Sequence, residues 1–174
     1  VNGIQLPERK KLYNRRKPDQ AFGSSHAIKQ ILDAITRYQH DTKYRAPLQI
    51  GAISKRKGGR LRPHSSHQSG RDIDIRLPRV GKGGSIDWRA TWKLVHAFIE
   101  TNEVQYIFLT HRLQRSLYRA ARTSGASKKD LAKWIQWPRK AKTNNGIVRH
   151  ARGHDAHIHV RVTCGPRDRS CGGR

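Results

Sequence analysis

Two stretches of the sequence decide the fold: RDIDIRL at residues 71–77 and HIHVRV at residues 157–162. In both stretches polar and apolar side chains alternate, which is the pattern of a β-strand that has one face in a core. The isoleucines, valines and leucine of the two strands would face the core, while the polar residues share the opposite face. We therefore predict two strands whose polar faces carry aspartates and histidines.

Apolar residues at helical spacing and short apolar runs predict the other elements. The predicted helices span residues 26–40, 88–101, 112–123 and 127–136, and two more strands span 48–53 and 104–109. Residues 1–23 are polar and rich in Pro, Lys and Arg, so we expect an irregular arm laid over a domain of residues 24–174. The expected fold class is α+β, a single domain with a small, mainly antiparallel central sheet flanked by helices.

The charge of the chain is extreme. Its 174 residues include 37 Lys and Arg against 12 Asp and Glu, a formal net charge of +25 at pH 7. Such a surface attracts polyanions, among them nucleic acids, anionic cell-wall polymers and lipid head groups. No apolar run approaches the roughly 20 residues that a membrane-spanning helix needs, so we predict no transmembrane segment.

The two ends of the sequence bear on its cellular location. The sequence begins at Val1 and contains no Met, which fits either a mature exported chain after removal of a leader or a trimmed sequence. Cys164 and Cys171 are seven residues apart, and Gly165-Pro166 between them favours a turn. The two cysteines form either a local disulfide of an exported protein or two free thiols of a cytosolic one.

Histidines and carboxylates gather in and beside the two decisive strands. The segment HDAHIH at residues 154–159 holds three histidines, and His67 stands seven residues before Asp74. Imidazole nitrogen and carboxylate oxygen are zinc ligands, and two histidines with one carboxylate leave a tetrahedral position free for water. This set of ligands is typical of a catalytic zinc, so we predict a metal-dependent hydrolase.

Strand geometry indicates which of these side chains could meet. His157 and His159 point to the same face of their strand, and Gly70 lets the chain turn between His67 and Asp74. If the two strands lie near one another, three side chains converge on one ion: His67, Asp74 and His159. Histidines are also common on the solvated faces of basic proteins. However, six of the ten histidines fall in or beside these two segments, which favours a metal site.

These motifs resemble those of a known peptidase family. HSSHQSGRDIDI at residues 64–75, followed by HDAHIHVR at 154–161, is similar to the zinc motif pair of the penicillin-insensitive murein endopeptidases. That family is grouped with lysostaphin, the D-Ala-D-Ala metallopeptidases and the hedgehog fold. The resemblance is dense over residues 64–77 and 153–171. It implies a zinc enzyme that hydrolyses D-Ala–diaminopimelate crosslinks of peptidoglycan with a metal-activated water.

The resemblance also implies a role for each matching residue of the site. The implied zinc ligands are His67, Asp74 and His159. His157 would act beside the bound water, as general base or as stabiliser of the tetrahedral intermediate, and His154 would assist at the site.

Further positions match the family, and others depart from it. The resemblance implies that His64 lines the site or holds an accessory ion, and that Cys164 and Cys171 are the family's C-terminal cysteine pair. The stretch between Leu77 and Trp92 is short, and the additional cysteines of longer members are absent. These departures leave the range of substrates open.

Other functions remain open from the sequence. The chain could be a D,D-carboxypeptidase or dipeptidase of the same superfamily, or an inactive wall-binding domain. Its charge suits a nucleic-acid-binding protein or a nuclease, but helix-turn-helix and zinc-finger spacings are absent, so we expect no nucleic-acid partner. We expect peptidoglycan as the substrate, anionic wall or outer-surface polymers as partners, and a periplasmic or secreted location. Candidates for a substrate groove, with ordinary surface and core roles equally open, are Lys55, Arg60, Arg62, Trp134 and Trp137.

Overall fold

Residues 3–44 and 46–168, which the computed structural model describes, form eight strands, four α-helices and one turn of 3-10 helix at Pro18–Gln20. The strands are Ile4–Gln5 (β1), Tyr13–Arg15 (β2), Phe22–Gly23 (β3), Leu48–Ile50 (β4), Asp72–Arg76 (β5), Val104–Phe108 (β6), Val148–Arg149 (β7) and His157–Val162 (β8). The helices are Ser25–Asp41 (α1), Trp88–Ile99 (α2), His111–Thr123 (α3) and Lys128–Trp134 (α4).

One mixed sheet organises the fold. In the described part of the chain its six strands follow the order β2-β4-β5-β8-β6-β7. The central pairings, β4 with β5, β5 with β8 and β8 with β6, are antiparallel. Both outer pairings, β2 with β4 and β6 with β7, are parallel, and β1 pairs with β3 in a separate antiparallel ribbon. The predicted α+β class with a mainly antiparallel sheet is therefore confirmed.

The two decisive stretches lie side by side at the centre of this sheet. Asp74 on β5 is the register partner of His159 on β8, and Asp72 is the partner of Arg161. Because side chains alternate along a strand, these four residues share one face of the sheet. The sequence left open whether the two strands lie near one another. In the structure they pair directly.

The opposite face of the two strands belongs to the hydrophobic core. Ile73, Ile75, Ile158 and Val160 are fully buried and lie in one cluster with the apolar stripes of α1 and α2. Ser24 caps α1 by accepting a hydrogen bond from the Ala27 amide, and Asp87 caps α2 through the Ala90 amide. The helices thus cover the apolar face, and the polar face is left for the loops and the site.

Within the predicted arm of residues 1–23, the described residues 3–23 differ from the irregular structure that we expected. The segment contains β1, β2 and β3, and β2 is an edge strand of the main sheet. Leu6, Tyr13 and Ala21 are almost fully buried and complete the core. The prediction of irregular structure was wrong because an edge strand needs few buried apolar residues. In the sequence these few residues stand among charged ones, so no strand pattern is visible. The division into an arm and a domain of residues 24–174 stays a prediction.

The remaining elements match the predictions within a few residues, apart from two strands. The strand predicted at 48–53 ends at Ile50, because Ile53 instead donates its amide to the Gln20 carbonyl. Strand β7 was not predicted, since two residues are too few to show a period. Within the residues that the structure describes, no helix has the length and apolar character needed to cross a membrane.

Gly70 makes the close turn that leads into β5. Its φ is +73°, and a Cβ built there would lie 2.9 Å from the Gly23 Cα and 3.0 Å from the Ser24 nitrogen. The Gly70 carbonyl accepts a hydrogen bond from the Ser24 amide, which ties the turn to the start of α1. Only glycine combines this left-handed backbone with this contact.

We therefore expect Gly70→Ala to lower the free energy of unfolding by more than the roughly 1 kcal/mol of a left-handed alanine alone. Gly59→Ala is the matched control, because Gly59 has a φ of +79° but no atom within 4 Å of the place that a Cβ would take. Urea denaturation of both variants measures the difference. Equal losses in the free energy of unfolding would show that the contact with Gly23 does not contribute to the cost of the substitution.

Candidate metal centre

The loop between β4 and β5 carries two histidines onto the polar face of the sheet. His67 is 1 % exposed, and its Nδ1 lies 3.0 Å from the Ile53 carbonyl oxygen. Because a carbonyl only accepts, Nδ1 carries the proton and donates to it. The lone pair of Nε2 therefore points into the site, where it is free to bind a cation.

Three such atoms meet at one point. The Nε2 of His67 lies 3.2 Å from Asp74 Oδ1 and 3.2 Å from His159 Nδ1, and the latter two atoms are 3.1 Å apart. A tetrahedral zinc with bonds of about 2.0–2.2 Å has ligand atoms about 3.3–3.6 Å apart. The triangle is close to that size, so the residues fit a single metal ion.

His159 is oriented from behind by a buried carboxylate. Its Nε2 lies 2.8 Å from Oδ1 of Asp72, which is fully buried. Arg161 donates to both oxygens of Asp72, from Nε at 2.8 Å and from Nη2 at 2.9 Å. This places a proton on His159 Nε2 and leaves the Nδ1 lone pair directed at Asp74 and His67. A carboxylate behind a ligating histidine is a common support of metal sites.

The charges of the site call for a cation. Burial raises the pKa of Asp72, but hydrogen bonds from His159 and Arg161 outweigh it and lower that pKa to about 2. Burial also raises the pKa of Asp74. Hydrogen bonds from His159 and His67 outweigh burial and hold that pKa below its ordinary value. Arg161 balances Asp72, so the negative charge of Asp74 is left to a proton or a metal ion. Burial lowers the pKa of His159, but the two aspartates outweigh burial and raise that pKa to about 9.

His64 offers a second, overlapping set of ligands. One atom each of His64, His67 and Asp74 lies within 4.8 Å of the others. The Nδ1 of His64 is 3.6 Å from Asp74 Oδ2, and its ring lies 4.3 Å from the ring of His67. These spacings are wider than those of the triangle with His159, so His64 fits a further contact better than a principal ligand.

Two neutral histidines stand beside the triangle. The Nε2 of His157 is 3.7 Å from Asp74 Oδ1, and the ring of His154 lies 5.0 Å from the ring of His157. Burial lowers the pKa of both rings below the ordinary histidine value. His154 donates from Nδ1 to the Arg152 carbonyl at 2.9 Å, which leaves its Nε2 as an acceptor. Both rings can accept a proton at neutral pH.

The structure thus brings together all six site histidines and carboxylates that the sequence singled out. The set is His64, His67, Asp74, His154, His157 and His159. The implied disulfide cannot be placed, because Cys171 lies outside the described residues, and the pairing with Cys164 stays a prediction.

Sequence reasoning missed the support and the surroundings of the site. Asp72 and Arg161 were placed on polar strand faces, but only the cross-strand register reveals that they pair behind His159. The predicted groove residues do not include those that line the cleft beside the triangle. Trp134, for example, packs against Trp92 and His96 instead, with ring centroids 5.9 Å and 5.3 Å away.

Fold and site together define a class, an α+β domain with a candidate metal centre of histidines and a carboxylate. The whole chain, residues 1–174, matches the family described as penicillin-insensitive murein endopeptidase, and the chain therefore belongs to that family. Membership makes it a peptidase that acts on peptidoglycan. No curated protein matched the chain.

The buried pair of Asp72 and Arg161 should contribute far more to stability than a surface pair. Asp72→Asn leaves a buried guanidinium without its counter-charge, so we expect a loss of about 3–5 kcal/mol in the free energy of unfolding. Asp155→Asn breaks the exposed pair with Arg112 and should lose less than about 1 kcal/mol. Urea denaturation in the presence of a chelator compares the two variants without any metal contribution. Similar losses would contradict the buried network.

Proposed function

We propose that this protein is a zinc-dependent murein endopeptidase that hydrolyses the amide bond between D-Ala and diaminopimelate in peptidoglycan crosslinks. The family supports hydrolysis of peptidoglycan. The proposal of a bound metal rests on one observation: three lone pairs form a triangle whose atoms are 3.1–3.2 Å apart. Two nitrogens and one carboxylate oxygen are a donor set that zinc accepts in catalytic sites.

The proposed ligands are Nε2 of His67, Oδ1 of Asp74 and Nδ1 of His159. When bound, zinc would supply a Lewis acid that lowers the pKa of a water molecule and polarises the carbonyl of the scissile amide. Asp74 would reduce the net charge of the ion, and Asp72 would hold His159 in the ligating tautomer.

His157 is the proposed general base. It lies next to Asp74 and also lines the cleft beside the site, whereas His154 does not line that cleft. The neutral ring can accept the proton of the attacking water and return it to the leaving amine. His154, whose ring lies 5.0 Å from the ring of His157, would assist by limiting the orientations of that ring.

Zinc content and muropeptide digestion, measured on the same preparations, test this proposal. We expect wild type to bind zinc and to convert crosslinked muropeptide dimers into monomers. His159→Ala should lose zinc affinity by more than about 100-fold, since a ligand matters more than its supports. His64→Ala should keep the zinc, and His157→Ala should keep the zinc while digestion falls by about 100- to 10,000-fold.

His40→Ala serves as the control for these variants, because the His40 side chain is 88 % exposed and lies at the end of α1. Full digestion by metal-free His159→Ala would exclude the zinc mechanism. Loss of zinc in His64→Ala with retention in His159→Ala would favour the overlapping ligand set. Release of terminal D-Ala without cleavage of dimers would identify a D,D-carboxypeptidase instead.

We further propose that the net charge of +25 holds the enzyme on anionic wall or outer-surface polymers, in the periplasm or outside the cell. Attraction between exposed charges weakens as salt shortens the Debye length from about 30 Å at 0.01 M to about 3 Å at 1 M. We expect the fraction of His157→Ala protein that sediments with purified sacculi to fall over this range. Sedimentation independent of salt would contradict the proposal.

A further inference from the structure

A cleft of about 370 Å³ opens beside the candidate metal centre. Gly51 and Ala52 line it with little side-chain bulk, and a Cβ on Gly51 would already lie 3.0 Å from the Cβ of Asp74. The remaining lining consists of three site residues and three cations: His64, Asp74, His157, Arg16, Lys17 and Arg76. The cleft therefore has room for a substrate, and one of its walls is strongly positive.

Two separate segments bring the cations to the cleft. Arg76 follows Asp74 by two residues on β5, so it shares the face of Asp74, and its register partner is His157. Arg16 follows the edge strand β2 and donates its amide to the Ile50 carbonyl at 2.9 Å, directly before Gly51. The cations thus flank the site from the centre and from the edge of the sheet.

Unlike their neighbours, these cations have no partner among the residues that the structure describes. Within residues 3–44 and 46–168, no ion pair and no side-chain hydrogen bond is formed by Arg16, Lys17 or Arg76, and all three are exposed. By contrast, Arg15 donates to the Leu6 carbonyl and pairs with Glu8. Asp74 is the one carboxylate among the described residues of the lining, and its Oδ1 is one corner of the metal triangle. The positive wall is therefore available to an anion of the substrate.

We infer that the cations Arg16, Lys17 and Arg76 bind the substrate carboxylate that is attached to the same carbon as the scissile nitrogen. This inference rests on the proposed function. In a D-Ala–diaminopimelate crosslink that carbon bears a free carboxylate. On the other side of the scissile amide, the D-Ala carbon bears only a methyl group and an amide. Guanidinium groups bind carboxylates in a bidentate, charge-assisted geometry.

This assignment orients the substrate and sets its specificity. The leaving-amine side of the crosslink occupies the cationic cleft, and the D-Ala side extends away from it across the metal triangle. His157 is the register partner of Arg76, and its Nε2 is 3.7 Å from Asp74 Oδ1, so it is then close to the leaving nitrogen that must receive a proton. Conversion of the carboxylate to a carboxamide removes the charge, and the cleft should discriminate against it.

Two synthetic crosslinked peptides that differ only in this group test the inference. One has the free carboxylate beside the scissile nitrogen, and the other has the carboxamide. Hydrogen bonds to a charged group are worth about 1.5–3 kcal/mol, so wild type should prefer the carboxylate by about 10- to 100-fold in kcat/KM. Arg76→Gln and Lys17→Gln should lower kcat/KM for the carboxylate peptide and leave that for the carboxamide peptide unchanged.

Arg122→Gln is the matched control, since Arg122 is an exposed cation of α3 outside the cleft lining. Equal kcat/KM of wild type for both peptides would overturn the inference. An equal loss on both peptides in Arg76→Gln would overturn it as well, because it would indicate a general structural effect.

Binding separates a failure of this inference from a failure of the proposed function. Calorimetry with His157→Ala protein, in which cleavage should be slow, measures the Kd of both peptides, and the same 10- to 100-fold preference is expected. If wild type cleaves neither peptide but the preference in Kd persists, the proposed function fails and the carboxylate site stands. If Kd is the same for both peptides, the carboxylate site fails whatever the activity.

Discussion

The antiparallel pairing of β5 with β8 is the constraint on which the site depends. Its register sets Asp74 against His159 and Asp72 against Arg161. A slip of one residue would turn isoleucine and valine toward the metal triangle and bury the charged set in the core. The apolar packing of Ile73 and Val160 under α1 and α2 opposes such a slip, so the core itself fixes the geometry of the site.

The same register solves the problem of two buried carboxylates. An isolated buried aspartate would be strongly destabilising, but Arg161 neutralises Asp72 from the neighbouring strand. Asp74 keeps its charge at the place where His67 and His159 direct their lone pairs. The protein therefore maintains a negative centre that a proton or a divalent cation must balance. This geometry supports the proposal of a metal enzyme independently of the family to which the chain belongs.

Much of this arrangement could be predicted from local patterns. Alternation predicted β5 and β8 and placed Asp72, Asp74, His157 and His159 on polar faces, because strand periodicity is a local property. The edge strand β2 was not predicted, since its three residues are stabilised by tertiary contacts of Tyr13 rather than by a pattern.

The parts of the site that the sequence did not predict share one physical property. The support of His159 by Asp72 and Arg161 depends on a register across strands, and the cationic cleft joins Arg16 and Arg76 from distant segments. Neither relation has a spacing along the chain that could indicate it. Residues 55–62 looked suitable for a groove because they are basic, but charge alone does not indicate which cations face the site.

Anomalous diffraction from crystals of the zinc-loaded protein locates the metal ion. If the pairing of β5 with β8 builds the metal centre, one zinc peak lies about 2.0–2.2 Å from His67 Nε2, Asp74 Oδ1 and His159 Nδ1, with His157 beside it but not bonded. A peak bonded to His64 in place of His159, or no peak between β5 and β8, would contradict the claim that the pairing of these strands builds the metal centre.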